Sequence, residues 1–173
     1  PICADHVFFV TNGTSTSNKM VWHHTVAPGD VVVIDRNCHK SNLHAIIMCG
    51  AIPVFMTPTR NHYGIIGPIP QAEFSPESIR AKIAANPLLA HVDPNTAVPS
   101  IVTLTQSTYD GVLYNTETIK KKLDGYIPTL HFDEAWLPHA AFHDFYGQFH
   151  AMGKNRPRPK EAMVYATQST HKL

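Results

Sequence analysis

Lys172 follows a hydroxyl-rich segment that comes directly after a short apolar run. The apolar run covers residues 162–166, and the segment at 167–170 reads Thr-Gln-Ser-Thr. We expect a strand followed by a turn that presents the lysine. A lysine held in a buried, polar-lined turn can lose its proton and attack a carbonyl carbon, forming a Schiff base. Taken alone, the segment would more often be a solvated lysine near a chain end.

A second segment favours the chemical interpretation. Asp133 stands where an apolar strand, residues 129–133, is expected to end. A buried carboxylate needs a partner, because leaving it unpaired costs too much free energy. The protonated ring nitrogen of pyridoxal phosphate is such a partner, and the pair keeps the ring an effective electron sink. Glu134 would point to the other face of the strand and is expected to be structural or to face a substrate.

Residues 12–17, Asn-Gly-Thr-Ser-Thr-Ser, join a predicted buried strand at 6–10 to a helix that continues through Trp22. Backbone N–H groups at a helix N-terminus, together with hydroxyl groups, form a phosphate site. The alternative is a plain N-cap, which needs only one hydroxyl. The G-x-x-x-x-G-K-[ST] pattern is absent, so a nucleoside-triphosphate loop is not supported.

His39 and Lys40 follow the predicted strand at residues 31–35. A histidine at this place can lie against a flat cofactor ring and act as an acid or base. A histidine that is only hydrogen-bonded to a nearby carbonyl is an equally good interpretation. Lys40 is the rival Schiff-base lysine. We expect it in the first turn of a helix, where a cation is disfavoured and points to water.

Three further groups have weaker signals. Ser107 or Thr108 could hydrogen-bond the substituents of a cofactor ring, although the following Asp-Gly pair is also typical of a simple turn. His139 and His143 have the spacing of two metal ligands on one helical face, but no H-E-x-x-H pattern or third ligand accompanies them. Aromatic-rich helical packing explains these histidines better.

Apolar strands alternate with helices along the chain, which predicts an α/β fold: a mostly parallel sheet covered on both faces, in three α/β/α layers. The remaining strands are expected at residues 52–56 and 101–105, and the remaining helices at 41–49, 75–85 and 115–122. Residues 57–70 and 86–99 are rich in proline and are expected to be irregular. Ligands of such sheets bind at the carboxyl ends of the strands, where the candidate residues fall.

The composition is that of one ordinary globular domain. The 173 residues are 43% hydrophobic and 16% charged with a net charge of +1, which gives no electrostatic case for nucleic acid or an acidic membrane. The twelve histidines leave pH sensitivity or metal binding to be considered. Three cysteines without a C-x-x-C pair favour a reducing cytosol, and no apolar run is long enough to span a membrane. The chain begins without methionine, so we expect a piece of a longer polypeptide.

Six ordered segments carry a resemblance to a known family. They are residues 10–19, 35–41, 58–61, 107–111, 131–136 and 167–172. Together they resemble the pyridoxal-phosphate domain of the bacterial Orn/Lys/Arg decarboxylases, an aspartate-aminotransferase-like class. The resemblance implies that residues 1–173 are part of a fold type I large domain, without the family's N-terminal wing domain and C-terminal domain. Residues 147–161 look peculiar to this sequence.

The resemblance also implies how the phosphate of the cofactor is held. Gly13, Thr14 and Ser15 would bind the phosphate at the start of the first helix. Ser169 and His171 would flank it from the other end of the chain.

The ring of the cofactor would be held by four other residues. His39 would stack on the ring, and Asp133 would pair with its nitrogen. Trp136 would lie near the ring, and Lys172 would carry the Schiff base. By the same resemblance, His39, Asp133 and Lys172 are the catalytic residues.

The implied function is decarboxylation of a basic amino acid, arginine or lysine and possibly ornithine, to CO₂ and agmatine or a diamine. The family implies a cytoplasmic homodimer that assembles further, with active sites at the dimer interface, and roles in polyamine metabolism and acid resistance. Two alternatives stay open. One is another fold type I pyridoxal-phosphate enzyme, an aminotransferase or a lyase. The other is a non-catalytic relative that binds amines.

Overall fold

Five parallel strands form one sheet in a computed structural model that describes residues 3–153 and 158–172. The strands are β1 (Val31–Asp35), β2 (Ile52–Met56), β3 (Ile101–Thr105), β4 (Thr129–Glu134) and β5 (Met163–Gln168). Their order is β2-β1-β3-β4-β5, and every neighbouring pair is parallel. All five strands therefore end at the same edge of the sheet.

Helices cover both faces of this sheet. They are α1 (Thr14–Thr25), α2 (Lys40–Cys49), α3 (Pro76–Ala85) and α4 (Thr116–Leu123). One apolar core joins one face of the sheet to α1 and α2 and includes Trp22, Val32 and Ile34. The other core lies on the opposite face, under α3 and α4, and includes Val33 and Ile79. The expected three-layer α/β fold is confirmed.

The helix ends follow the local sequence. The Ser75 side chain accepts a hydrogen bond from the Ser78 N–H at 3.1 Å, and Pro76 is the first residue of α3. Asn115 caps α4 in the same way, at 3.0 Å from the Thr118 N–H. The predicted strands at residues 31–35, 52–56 and 101–105 are confirmed with the same bounds.

The predicted buried strand at residues 6–10 is wrong. This segment has no strand hydrogen bonds, and Phe8 and Phe9 are 79% and 95% exposed. A run of apolar residues predicts burial only if a neighbouring strand lies beside it. In the part of the chain that the structure describes, this segment has no such neighbour, so its side chains face solvent.

The chain between β4 and β5 also differs from a regular helix. Residues Pro138–Phe142 and Asp144–Phe149 form two short 3₁₀ helices, after others at Gln71–Phe74 and Pro87–Leu89. Of the segment at 147–161, residues 154–157 lie outside the described residues. None of the described helices has the length and hydropathy needed to cross a membrane.

Candidate functional site

A cavity of about 260 Å³ lies at the carboxyl ends of β3, β4 and β5, beside the first residues of α1. The nine residues that were predicted from the sequence to form the site all line this cavity: Gly13, Thr14, Ser15, His39, Asp133, Trp136, Ser169, His171 and Lys172. They converge because a parallel sheet brings the carboxyl ends of its strands together. Segments from both ends of the chain thus form one site.

The start of α1 forms one wall of the cavity. Gly13 is the N-cap residue, with a φ of 75° that suits glycine, and no side chain caps the helix. The plain hydroxyl N-cap considered above is therefore wrong. The Thr14 and Ser169 hydroxyl oxygens lie 2.5 Å apart, which ties α1 to the residue after β5. Uncapped N–H groups, the helix dipole and hydroxyls together make this wall suitable for an anion.

Asp133 is held on the floor of the cavity by several donors. Its Oδ2 accepts hydrogen bonds from the side-chain amides of Asn18 at 2.8 Å and Asn42 at 3.4 Å. Its Oδ1 accepts one from the Ala135 N–H at 3.2 Å. Asp133 is 3% exposed, and burial raises its pKa, while these hydrogen bonds and nearby His39 oppose the increase. A cation in the cavity would favour the ionised carboxylate.

His39 is the N-cap residue of α2, and its ring is held in place. Nδ1 accepts a hydrogen bond from the Ser41 N–H at 3.1 Å, and the Ser41 hydroxyl lies 2.8 Å away. The ring is thus anchored by Ser41 rather than by a carbonyl. Because Nδ1 accepts, the proton of a neutral ring is on Nε2. His39 can present that N–H to a molecule in the cavity.

The two candidate lysines have different surroundings. Lys172 is half-buried, with Nζ 3.5 Å from the Tyr109 hydroxyl and 5.9 Å from the centre of the Tyr109 ring. The Tyr109 and Trp136 rings are 4.5 Å apart, so Lys172 stands beside an aromatic pair. Lys40 is the first residue of α2, is exposed, and does not line the cavity. The prediction that Lys40 points to water is confirmed.

Sequence reasoning missed four residues that line the cavity: Asn18, Thr105, Tyr109 and Ala135. Asn18 is one helical turn after Thr14, so its position on the same face of α1 could have been found from the spacing. Thr105 and Ser107 carry buried hydroxyl oxygens without a hydrogen bond in the described part of the chain.

Several other expected contacts lie elsewhere. Thr108 does not line the cavity; its hydroxyl accepts from the Val112 N–H at 3.2 Å in the predicted turn. Glu134 is buried and structural: its carboxylate accepts from the Ala151 N–H at 2.6 Å and the Gln168 amide at 2.7 Å.

The histidines of the 3₁₀ segment are outside the site as well. His139 and His143 are exposed, and the His143 ring accepts a hydrogen bond from the Phe145 N–H at 3.2 Å. Across residues 3–153 and 158–172, no group of three His, Cys, Asp or Glu residues could hold a metal ion.

Comparison with known proteins identifies one family. The sequence model of the Orn/Lys/Arg decarboxylase major domain matches residues 2–173. Lysine decarboxylase LdcA of Pseudomonas aeruginosa is 55% identical over 170 residues, which cover 98% of this chain and 22% of the relative. The biodegradative arginine decarboxylase of Escherichia coli is 43% identical over 170 residues, with the same two coverages. The chain thus spans about a fifth of the length of these relatives.

A solved structure agrees with the sequence comparison. The lysine decarboxylase LdcF of Francisella novicida superposes with a TM-score of 0.88 at 47% identity. The match covers 99% of this chain and 23% of that protein.

Proposed function

Because the chain belongs to the Orn/Lys/Arg decarboxylase family, we propose that it forms the cofactor-binding part of a pyridoxal-phosphate enzyme that decarboxylates a basic amino acid. Residues 1–173 would be part of the large domain of that enzyme. The observation that supports this most is the meeting of Lys172, Asp133 and the start of α1 at one cavity. An amine nucleophile, a buried acid and an anion site are the three groups that this cofactor needs.

The residues present fit the cofactor. The wall at Gly13 has an uncapped helix N-terminus and a glycine whose added Cβ would meet nothing within 4 Å. Asp133 is a desolvated carboxylate that a ring cation would neutralise. The buried Ser107 hydroxyl, which has no hydrogen bond in the described part of the chain, offers one to a polar ligand in the cavity. A plain structural cleft would explain none of these features.

When bound, pyridoxal phosphate supplies an electron sink for the electron pair left by CO₂. An ionised Asp133 would stabilise a positive charge on the nitrogen of the cofactor ring. Gly13, Thr14 and Ser15 hold the phosphate, together with Ser169 and His171. Lys172 Nζ would be the amine that attaches the cofactor covalently.

His39, Tyr109 and Trp136 also line the cavity and would limit the space around a bound cofactor. Nδ1 of the His39 ring is bound by Ser41, which leaves the Nε2–H of the same ring available to the cavity. Tyr109 and Trp136 shield the Lys172 amine from one side.

We favour lysine as the substrate, with arginine second and ornithine third. The relative named as a lysine decarboxylase is 55% identical, against 43% for one named as an arginine decarboxylase and 38% for one named as an ornithine decarboxylase. The exposed apolar run at Phe8 and Phe9 supports the proposed homodimer, because such patches are typical of interfaces. Cys38 and Cys49 form no disulfide in the part of the chain that the structure describes, which suits the proposed cytoplasmic location.

The test uses the full-length protein that carries this sequence. It is incubated with pyridoxal phosphate and, separately, with lysine, arginine and ornithine, and both CO₂ and the amine product are measured. We expect one diamine or agmatine in a one-to-one ratio with CO₂, fastest with lysine. Keto-acid formation without CO₂ would instead identify an aminotransferase. Binding of these amino acids without any product would support the non-catalytic alternative.

A further inference from the structure

A line of buried hydrogen bonds runs behind Asp133, away from the cavity. The Thr103 hydroxyl lies 3.2 Å from His131 Nδ1, and His131 Nε2 lies 3.1 Å from the Thr167 hydroxyl. Thr167 donates to Asn18 Oδ1 at 2.6 Å, and Asn18 Nδ2 donates to Asp133 Oδ2 at 2.8 Å. All five residues are buried, and His131 is 0% exposed. The function proposed above uses only the last of them.

The direction of each bond in this line follows from the orientation of the Asn18 amide, whose N–H₂ group faces the Asp133 carboxylate. Asn18 Oδ1 can only accept, so the single hydroxyl proton of Thr167 is directed to it. The Thr167 oxygen must then accept from His131, which places the imidazole proton on Nε2. Nδ1 is left as the acceptor for the Thr103 hydroxyl. Burial lowers the pKa of His131 to about 3, so the ring stays neutral with this arrangement.

The direction matters because an amide has two unlike ends. Asn18 Nδ2 also donates to the Ser41 hydroxyl at 3.0 Å, so its N–H₂ group serves Asp133 and Ser41 together. A rotated amide would place Oδ1 against the Asp133 carboxylate, and two acceptors would face each other in a desolvated site. Thr167 opposes that rotation when its oxygen accepts from the His131 Nε2–H, because its own proton is then directed to Asn18 Oδ1.

We propose that His131 is a positioning residue that, through Thr167, holds the Asn18 amide with its N–H₂ group towards Asp133 and so keeps Asp133 ionised. This inference rests on the proposed function, in which an ionised Asp133 pairs with a ring cation. His131 does not touch the cavity; it acts through two other side chains. Thr103 completes the arrangement by occupying the second ring nitrogen.

Other titratable groups around Asp133 come from every neighbouring element. His39 and Cys38 precede α2, while His171 and Lys172 follow β5. Asp35 ends β1. Variants of Thr167 leave all five in place, so a change at Asp133 can be assigned to the hydrogen-bond line.

The test compares Thr167→Val with Thr167→Ser in the full-length protein without cofactor. Valine has the shape of threonine and removes the hydroxyl, whereas serine keeps it. Infrared spectra recorded from acid to alkaline pH follow the C=O stretch of protonated Asp133, which Asp133→Asn identifies by removing it. We expect Thr167→Val to raise the Asp133 pKa by about one unit and Thr167→Ser to leave it close to wild type.

Thr103→Val and Thr103→Ser form a second pair that keeps the test decisive if Thr167→Val does not fold. Removal of the Thr103 hydroxyl frees the His131 ring to change its protonated nitrogen, so the Asp133 pKa should rise, though less than in Thr167→Val. The serine variant should again match wild type. Equal Asp133 pKa values in a folded valine variant and in wild type would overturn the inference.

A second measurement separates this inference from the proposed function. The affinity for pyridoxal phosphate is measured by the change in absorbance on binding. We expect about tenfold weaker binding in Thr167→Val, a smaller loss in Thr103→Val and none in the serine variants. Failure of the wild-type protein to bind the cofactor would contradict the proposed function, while the infrared result would still decide the role of His131. Normal binding in all variants, with an unchanged Asp133 pKa, would overturn the inference and leave the function intact.

Discussion

Two buried aspartates, Asp133 near the end of β4 and Asp35 at the end of β1, lie on either side of β3 and have different environments. Asp133 lies in β4 and accepts three hydrogen bonds on its two carboxylate oxygens, beside the cavity. Asp35 is the last residue of β1 and is 1% exposed; its Oδ1 accepts from the Asn37 N–H at 2.7 Å. Its Oδ2 has no hydrogen bond within the described ranges, and it does not line the cavity.

The contrast shows that burial alone does not mark the functional acid. Burial raises the pKa of both groups, to about 6 for Asp35. Asp133 is supplied with donors that favour its ionised form and with space for a cation. Asp35 shapes the turn that leads to His39, since its backbone carbonyl also accepts from the Cys38 N–H. The surroundings of Asp133 suit a bound ligand, whereas Asp35 holds the backbone turn that follows β1.

The largest expected effect comes from exchanging each aspartate for asparagine in the full-length protein. Asp133→Asn removes the charge that faces the ring nitrogen, and we expect kcat to fall by about 10²- to 10³-fold. Asp35→Asn keeps a side-chain oxygen for the Asn37 N–H, so kcat should stay within about threefold of wild type. Steady-state rates with saturating pyridoxal phosphate check both values. Equal losses of kcat in Asp133→Asn and Asp35→Asn would contradict the different roles given to the two aspartates.

The pH dependence of stability sharpens the same comparison. The folded-state pKa of Asp35 is about 6 against 3.8 ordinarily, so between these values the folded protein holds a proton that the unfolded chain has lost. Wild type therefore gains stability as pH falls from 6 to 3.8, and Asp35→Asn does not. The stability of Asp35→Asn relative to wild type should therefore be about 3 kcal/mol more favourable above pH 6 than below pH 3.8. Melting temperatures of both proteins across this range test the expectation, and a difference independent of pH would contradict it.

A smaller effect is expected from two glycines at opposite ends of the sheet. Gly13 begins α1 at the cavity, and Gly29 lies in the turn before β1; their φ values are 75° and 87°. An added Cβ meets nothing within 4 Å at either place, so the cost of alanine is backbone strain. It should be about 1 kcal/mol at Gly29. At Gly13, whose ψ of 176° lies in a region restricted to glycine, it should be about 1–3 kcal/mol. Only Gly13→Ala should weaken pyridoxal-phosphate binding, by several-fold, because only Gly13 lies at the proposed phosphate wall.

The measurements for this pair are thermal denaturation and cofactor titration. Weaker cofactor binding in Gly13→Ala alone, with both variants folded, would support the assignment of the α1 N-terminus. An equal loss of affinity in Gly29→Ala would show that general destabilisation explains the effect.

Much of the fold could be predicted because its strands and helix ends carry local signals. β1 and β3 are rich in β-branched residues, and Ser75 with Pro76 marks the start of α3. The segment at 6–10 has an equally apolar sequence, yet whether it pairs depends on a neighbour that local composition does not specify. Its exposure could not be predicted for that reason.

The site divides in the same way. Lys172 follows β5, and Asp133 lies near the end of β4. Both could be predicted because the carboxyl ends of parallel strands meet at one edge of the sheet. The line from His131 to Asn18 could not, because it depends on register. Thr167 pairs with Asp133 across β4 and β5, while its side chain reaches α1. That meeting of a helix and two strands is visible only in three dimensions.

The most direct test of the central claim identifies the lysine that binds the cofactor. The full-length protein is mixed with pyridoxal phosphate, reduced with borohydride and digested, and the labelled peptide is located by mass spectrometry. We predict the label on Lys172, with none on exposed Lys40, and its loss in Lys172→Ala but not in Lys40→Ala. Label on Lys40, or none on either lysine, would contradict the proposed site.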